Sequence, residues 1–208
     1  MVKKIYILVF FMILVSYTWA QRFEGGVLAG FNATQVEGDY FKGFNKPGIL
    51  AGFFVQTDLA PAIFAGMEIK YTQKGSRKRI KPKDPDPEKY IMRLGYVDVP
   101  LFAGFRTNDR GSILAGVSIG YLIHDKELDE YGEFPPEDQH PFNNLDIQPF
   151  LGFQFDMLDQ VTLDLRFALS VLPIRGQPGD NNLDYSWYWR DNQFNNVISL
   201  ALYYNFSR

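Results

Sequence analysis

A closed, eight-stranded, antiparallel up-and-down β-barrel that spans a membrane is the fold the sequence predicts, on three observations. Three tight turns, Asp58-Leu59-Ala60-Pro61, 107–111 and Leu158-Asp159-Gln160, alternate with four long polar segments, 35–45, 75–89, 124–144 and 175–192. Between them, eight stretches alternate apolar and polar residues, the period of a strand with two unlike faces. A secretory leader precedes them all. Short turns on one rim and long loops on the other are the pattern of an all-β barrel in an outer membrane.

Residues 1–20 read as a cleaved signal peptide. Lys3 and Lys4 give a basic start, and 5–15 is an unbroken apolar run. Thr18-Trp19-Ala20 offers small residues at the two positions a signal peptidase reads, so Gln21 is the expected mature start. A membrane-spanning helix needs about 20 apolar residues, more than this run supplies. Residues 21–208 then form one barrel domain, within the roughly 200 residues a single domain takes. There is no cysteine, which excludes a lipoprotein anchor, disulfides and thiolate metal sites. Of the 21 Lys and Arg, Lys3 and Lys4 leave with the leader, and 24 Asp and Glu remain. This mild acidity argues against a nucleic-acid partner.

The strands follow in order. In the first, Phe23, Val27, Ala29 and Phe31 oppose Glu24, Leu28, Gly30 and Asn32. In the second, Ile49, Ala51, Phe53 and Val55 oppose Leu50, Gly52, Phe54 and Gln56. The third is the cleanest, with Ile63, Ala65, Met67, Ile69 and Tyr71 against Glu68, Lys70, Thr72 and Lys74. The fourth sets Val97, Val99, Leu101, Ala103 and Phe105 against Asp98, Gly104 and Arg106. The fifth sets Ile113, Ala115, Val117, Ile119 and Tyr121 against Ser112, Gly116, Ser118 and Gly120. The sixth sets Leu145, Ile147, Leu151, Phe153 and Phe155 against Asp146, Gln148, Gln154 and Asp156. The seventh sets Val161, Leu163, Leu165, Phe167 and Leu169 against Thr162, Asp164, Arg166 and Ser170. In the last, Phe194, Ile198, Leu200, Leu202, Tyr204 and Phe206 oppose Asn195, Ser199, Ala201 and Asn205.

Parity separates the two faces but does not orient them. Lipid does. A charge at the bilayer midplane costs about 2 to 4 kcal/mol, so the uncharged face must meet hydrocarbon. An open sheet edge in lipid leaves backbone groups unpaired, which demands closure. Eight strands is also the size at which side chains fill the interior. Glu24, Glu68, Lys70, Lys74, Asp98, Arg106, Asp146, Asp156, Asp164 and Arg166 then form a paired internal network, or in part line a wet rim. With both termini periplasmic, Phe31, Tyr71, Tyr121 and Phe194 are expected at the outer aromatic girdle. Phe23, Phe105, Phe155, Tyr204 and Phe206 are expected at the inner one.

Several segments resemble the PorT-like outer-membrane β-barrel family of Bacteroidetes-type bacteria. They are GVLAGFN at 26–32, GILAGFFVQ at 48–56, EIKYTQKG at 68–75, YVDVPLFAGF at 96–105 and VISLALYYNF at 197–206. The most specific parts are the E-x-x-Y-x-x-K-G of Glu68, Tyr71, Lys74 and Gly75, and the aromatic-x-x-x-P-L of Tyr96, Pro100 and Leu101. The resemblance implies an eight-stranded outer-membrane barrel. It implies no reaction, although a few members resemble factors of protein secretion and gliding. Such barrels commonly end on an aromatic residue that the assembly machinery reads; here Ser207 and Arg208 follow Phe206.

Function in such a barrel sits on its long loops. Arg77, Lys78, Arg79, Lys81 and Lys83 are candidate contacts for lipid phosphate, or a solvated loop. Asp125, Glu127, Asp129, Glu130, Glu133, Glu137 and Asp138 are dense enough to suggest calcium, but their spacing fits no calcium loop and no glycine stands where a tight ligand turn needs one. Trp187, Tyr188 and Trp189 are candidates for a partner or a glycan, or for interfacial packing. His124 and His140 share one segment and neither lies on a strand with Ser118 or Ser170, so no catalytic, cofactor or metal residue is assigned.

The reading is a non-enzymatic outer-membrane barrel with a structural or surface role, or an accessory to a secretion or surface complex. A lipid-modifying barrel enzyme and a secreted lipocalin-like binder of apolar ligands are the alternatives. Expected partners are outer-membrane lipids and lipopolysaccharide, the barrel-assembly machinery during biogenesis, and an envelope protein. No cofactor is expected.

Overall fold

The computed structural model describes residues 22–39, 41–78, 89–135, 140–176 and 192–207. The strands are β1 (Phe23–Glu37), β2 (Lys46–Ala60), β3 (Ile63–Lys74), β4 (Ile91–Arg106), β5 (Gly111–Leu128), β6 (Leu145–Leu158), β7 (Val161–Leu169), a two-residue β8 (Arg175–Gly176) and β9 (Asn192–Asn205). Each pairs antiparallel with its neighbour, and β1 pairs with β9. The ring is therefore a closed barrel of eight strands, with β8 attached to the top of β9. Closure removes the edges that lipid could not satisfy.

Two of the three short connections are as tight as they can be. Pro61 and Ala62 join β2 to β3, and Asp159 and Gln160 join β6 to β7. With 107–110 between β4 and β5, they share one rim with both ends of the described chain, here called the turn end. The strand ends that the long connections join lie at the other rim, the loop end.

The outer wall is apolar along its length. On β5, Ile113, Val117, Ile119, Tyr121 and Ile123 are all exposed. That stretch matches the 9 to 11 residues a tilted strand needs to cross hydrocarbon. Phe31 (69% exposed) and Tyr121 (57%) sit on the wall as expected. The inside is filled in layers. Phe64, Phe102, Leu114 and Phe150 form one apolar cluster, and Leu28, Leu50, Phe54, Ala201 and Tyr203 another. Phe64 and Phe102 lie across the β3–β4 ladder from Gly104 and Gly66. A Cβ at either glycine would stand only 2.2 or 2.4 Å from the facing ring. The glycines are what let the rings lie flat inside the wall.

Three expectations are corrected. The barrel is taller at the loop end: β1 runs to Glu37, β4 begins at Ile91 and β5 runs to Leu128. The inward residues there, Val36, Met92, Leu94, Tyr96 and Leu122, are apolar and pack on one another. Apolar residues on the inner face hide the alternation that marks the lower strands. Next, Phe194 is not in the girdle; it is fully buried (0%). At that height β9 has β1 on one edge and β8 attached beside it, so the lipid-facing parity ends below Phe194. Lastly, Arg106 and Asp156 leave the internal network. Arg106 pairs with Asp58 at 2.5 Å on the turn-end rim, and Asp156 accepts from Thr162 at 2.5 Å. Glu24 is half-buried and accepts from Asn205 at 2.8 Å.

Candidate functional site: the sealed lumen and the loop-end rim

Seven charges cross the middle of the lumen in two linked groups. Arg166 on β7 donates through Nη2 to Glu68 Oε1 at 2.6 Å and to Tyr203 Oη at 2.8 Å. Its Nε lies 2.8 Å from Asp164. The guanidinium also rests over Phe102, Phe150 and Tyr203, with ring centroids 4.9 to 5.7 Å away. Lys70 closes on Glu68 at 3.0 Å. In the second group, Lys74 Nζ meets Asp98 at 3.1 Å, Asp146 at 3.2 Å and Gln148 at 2.9 Å. Asp146 also accepts from Ser170 at 2.6 Å and Asn195 at 2.9 Å. All seven are buried. Buried charges persist only when paired and hydrogen-bonded on most of their atoms, which this arrangement supplies.

The two motifs singled out in the sequence fall here. Glu68 and Lys74 anchor one group each, while Tyr71 points to the outside of the same strand. Gly75 ends the strand at φ 128°, and a Cβ there would lie 2.2 Å from the Met92 carbonyl. Tyr96 lies beneath the Lys74 ammonium, 4.5 Å from it. Pro100 has no N–H to give, and the β3–β4 pairing is interrupted at its level between Met67 and Lys70 while the register is kept.

A cavity of about 30 Å³ lies between the two groups, lined by Asn32, Thr72, Ser118, Arg166 and others. Asn32 Oδ1, Thr72 Oγ1, Ser118 Oγ and Arg166 Nη1 have no protein hydrogen-bond partner. A polar space of that volume suits one or two waters. It is far below the roughly 300 Å³ a small-molecule site needs.

The loop end is capped from within. The chain beyond β7 folds inward, burying Ile174 completely and placing Arg175 over Phe142 at 4.4 Å. Arg175 grips Glu127 bidentately at 2.7 and 2.9 Å and donates to Gln193 at 2.8 Å. Tyr90 donates to the same carboxylate. Burial and the nearby Glu127 charge hold the Tyr90 hydroxyl well above the usual phenol range. This clamp was not legible in the sequence, where Glu127 counts only as one of several loop acids.

Asp39 lies beside the cap. Burial pushes its pKa from 3.8 up to about 7, against the weaker pull of Ser76, the Phe41 amide and Arg175. The Phe41 amide donates to its Oδ1 at 2.8 Å, while Oδ2 and the neighbouring Ser76 hydroxyl make no hydrogen bond. The folded state thus holds the proton more tightly than the unfolded chain. Below about pH 4 both states are protonated and nothing is lost; stability falls as pH rises through 4 to 7. Asp39→Asn is therefore expected to stabilise the protein at pH 8, by at most about 4 kcal/mol, and to change nothing at pH 3.5. Urea midpoints of the two chains at the two pH values check this; equal gains at both would refute it.

The structure places the sequence-predicted residues unevenly. Arg77 bridges to Ile91 and is exposed, and Lys78 is half-buried with its amide on the Tyr90 carbonyl at 3.0 Å. Arg79, Lys81, Lys83, Trp187, Tyr188 and Trp189 lie outside the described residues, as do the leader and its cleavage site. His124 is on β5, exposed, and its Nε2 lies 3.3 Å from the Tyr71 hydroxyl. His140 is exposed as well. Ser118 and Ser170 are inside the lumen, and Ser170 donates to a carboxylate rather than to a histidine. Among the described residues no group of His, Asp and Glu is placed to hold a metal ion.

The barrel is similar to that of Neisserial surface protein A (NspA). The TM-score is 0.51, with 10% identity, over 88% of this chain and 97% of that one. Ail, the attachment invasion locus protein of Yersinia pestis, is similar at a TM-score of 0.49 and 13% identity, over 89% of this chain and 99% of that one. At such identities the likeness is one of fold. No curated protein sequence matches the chain. A family model described as outer membrane protein beta-barrel domain matches residues 19–174, three-quarters of the length. With its closed eight-strand ring, its apolar wall and its charged lumen, the chain belongs to the outer membrane protein beta-barrel domain family.

Proposed function

We propose that this chain is a non-enzymatic surface barrel of the outer membrane. It serves as a structural element or as an accessory to a secretion or surface complex, in the manner of PorT-like barrels. The leader is removed at Gln21, both termini and the turn end face the periplasm, and the loop end faces outward. The filled lumen carries this reading. Among the described residues, paired charges occupy its middle and the Arg175–Glu127 clamp covers its loop end. A lipocalin-like role finds only about 30 Å³ between the charge groups of the lumen; the larger hollow, about 1090 Å³, is open and lies at the turn-end rim beside Arg110, Leu158 and Gln160. The working surface is then the loop end, and in the sequence the connections made there hold Arg79, Lys81 and Lys83 and the Trp187-Tyr188-Trp189 run.

The folded protein is expected in the detergent-extracted outer-membrane fraction, migrating faster on a gel before boiling than after. Equal mobility in both samples would overturn the reading. Crosslinking through residues placed in 177–191 is expected to capture an envelope protein. Capture of lipid alone would favour the structural role over the accessory one.

A further inference from the structure

One strip of the outer wall at the loop end gathers positive charge; among the described residues Lys126 is paired and two guanidinium groups are not. Arg93 on β4 and Lys126 on β5 are register partners, both exposed. Like charges directly opposite in a sheet are destabilising. Glu133 takes Lys126 at 2.8 Å, and exposed Asp125 lies one rung away. Arg93 has no anionic partner among the described residues, and neither has Arg77, whose bridge partner Ile91 is two residues from Arg93. Lys46, the register partner of buried Thr34, is itself buried on the inward side of β2, and its ammonium donates to the Pro47 carbonyl at 2.8 Å.

What lies below the strip is graded. Two residues down β4 from Arg93, Gly95 faces His124 across a register shift. The His124 ring fills the place a Cβ would take at Gly95, with Cε1 2.1 Å from that position. It stacks on Tyr71 at 6.0 Å and 25°. Below that pair the wall turns to exposed Ile69, Ile119 and Tyr121. Arg93 stands four residues past Val97, the register partner of Tyr71, about 13 Å along the strand. Aliphatics, then aromatic and imidazole, then guanidinium: this is the order of an acyl chain, a polar linker and a phosphate.

We propose that Arg77 and Arg93 bind the phosphate of an outer-leaflet glycolipid whose acyl chains lie against this wall, with Tyr71 and His124 meeting its sugar. The inference rests on the outer-membrane reading above, with the loop end outward. Arginine forks match phosphate bidentately. A phosphomonoester on a sugar suits the strip better than phosphatidylethanolamine, whose own ammonium would sit beside the two guanidinium groups.

The test uses the full mature chain refolded in nanodiscs. Retention of bis-phosphorylated lipid A and of the same lipid A after dephosphorylation is compared by native mass spectrometry. The phosphorylated form is expected to be retained selectively, and Arg77→Gln/Arg93→Gln to lose about 30-fold in that selectivity, at about five-fold per guanidinium. No preference for the phosphorylated form in the unmodified chain would overturn the proposal. So would an undiminished preference in the double variant. Full displacement by millimolar inorganic phosphate would reassign the strip to a free anion and overturn the lipid assignment. Should the double variant fail to fold, the comparison of the two lipids on the unmodified chain decides. A chain that shows the boiling-dependent gel shift but no lipid preference loses this site alone and keeps its outer-membrane reading.

Discussion

Arg166→Met is expected to destabilise the barrel by about 3–5 kcal/mol, the usual loss when one partner of a buried ion network is removed. The mechanism is not the lost attraction alone. Glu68 and Asp164 both sit beside the guanidinium, fully inside the lumen. Without it, two carboxylates share Lys70, which reaches Glu68 only. Methionine keeps the contact with Phe102 and Phe150 but offers no donor to Glu68 or Tyr203. The companion substitution Asp164→Asn, made together with Arg166→Met, is expected to recover most of the loss, since Glu68 then keeps Lys70 as its counter-charge and no unpaired charge stays buried. Urea titration of the refolded chain in micelles, followed by the boiling-dependent gel shift, measures both. A loss under about 1 kcal/mol for the single variant would mean that solvent reaches the belt and screens it, and no recovery in the double variant would mean that a stranded carboxylate is not what the loss reports.

The second large effect is expected on the opposite face of the wall. Leu101→Arg is expected to cost about 2–4 kcal/mol in a bilayer. Leu101 is 49% exposed on β4, between Met67 and Val117 in register. In water an arginine at so open a position would be nearly neutral. In lipid it must drag water in or bend toward the interface. Leu158→Arg, in the turn-end rim beside Asp159, is expected to cost about 0–1 kcal/mol. The difference between the two sites is the readout, since it cancels any general effect of arginine on refolding. Equal costs would show that hydrocarbon does not touch the wall at Leu101.

Much of this was legible because it is local. In β3, Glu68, Lys70, Thr72 and Lys74 alternate with Met67, Ile69 and Tyr71, and the structure buries the first set and turns the second outward. The Asp159-Gln160 turn was visible from its residues, as was the internal place of Asp98, Asp146, Asp164 and Arg166. The upper third of the barrel was not. Inward Leu94, Met92 and Leu122 are as apolar as the wall, so no contrast marks the strand. At the Gly95–His124 shift, β5 inserts a residue opposite β4 and reverses its parity, which turns both His124 and Lys126 outward. Reading straight through that point leaves His124 in a loop and misses the rung that Lys126 shares with Arg93.

By itself the sequence determined the number of barrel strands, the three tight turns and which face of each strand meets lipid. These follow from side-chain alternation and turn chemistry within a few neighbouring residues. Only the tertiary structure decided that Lys74 bridges Asp98 and Asp146, that Arg175 clamps Glu127 over the lumen, and that Phe194 is covered. Those outcomes depend on the register between strands far apart in the chain, and register is settled when the ring closes rather than by any one strand.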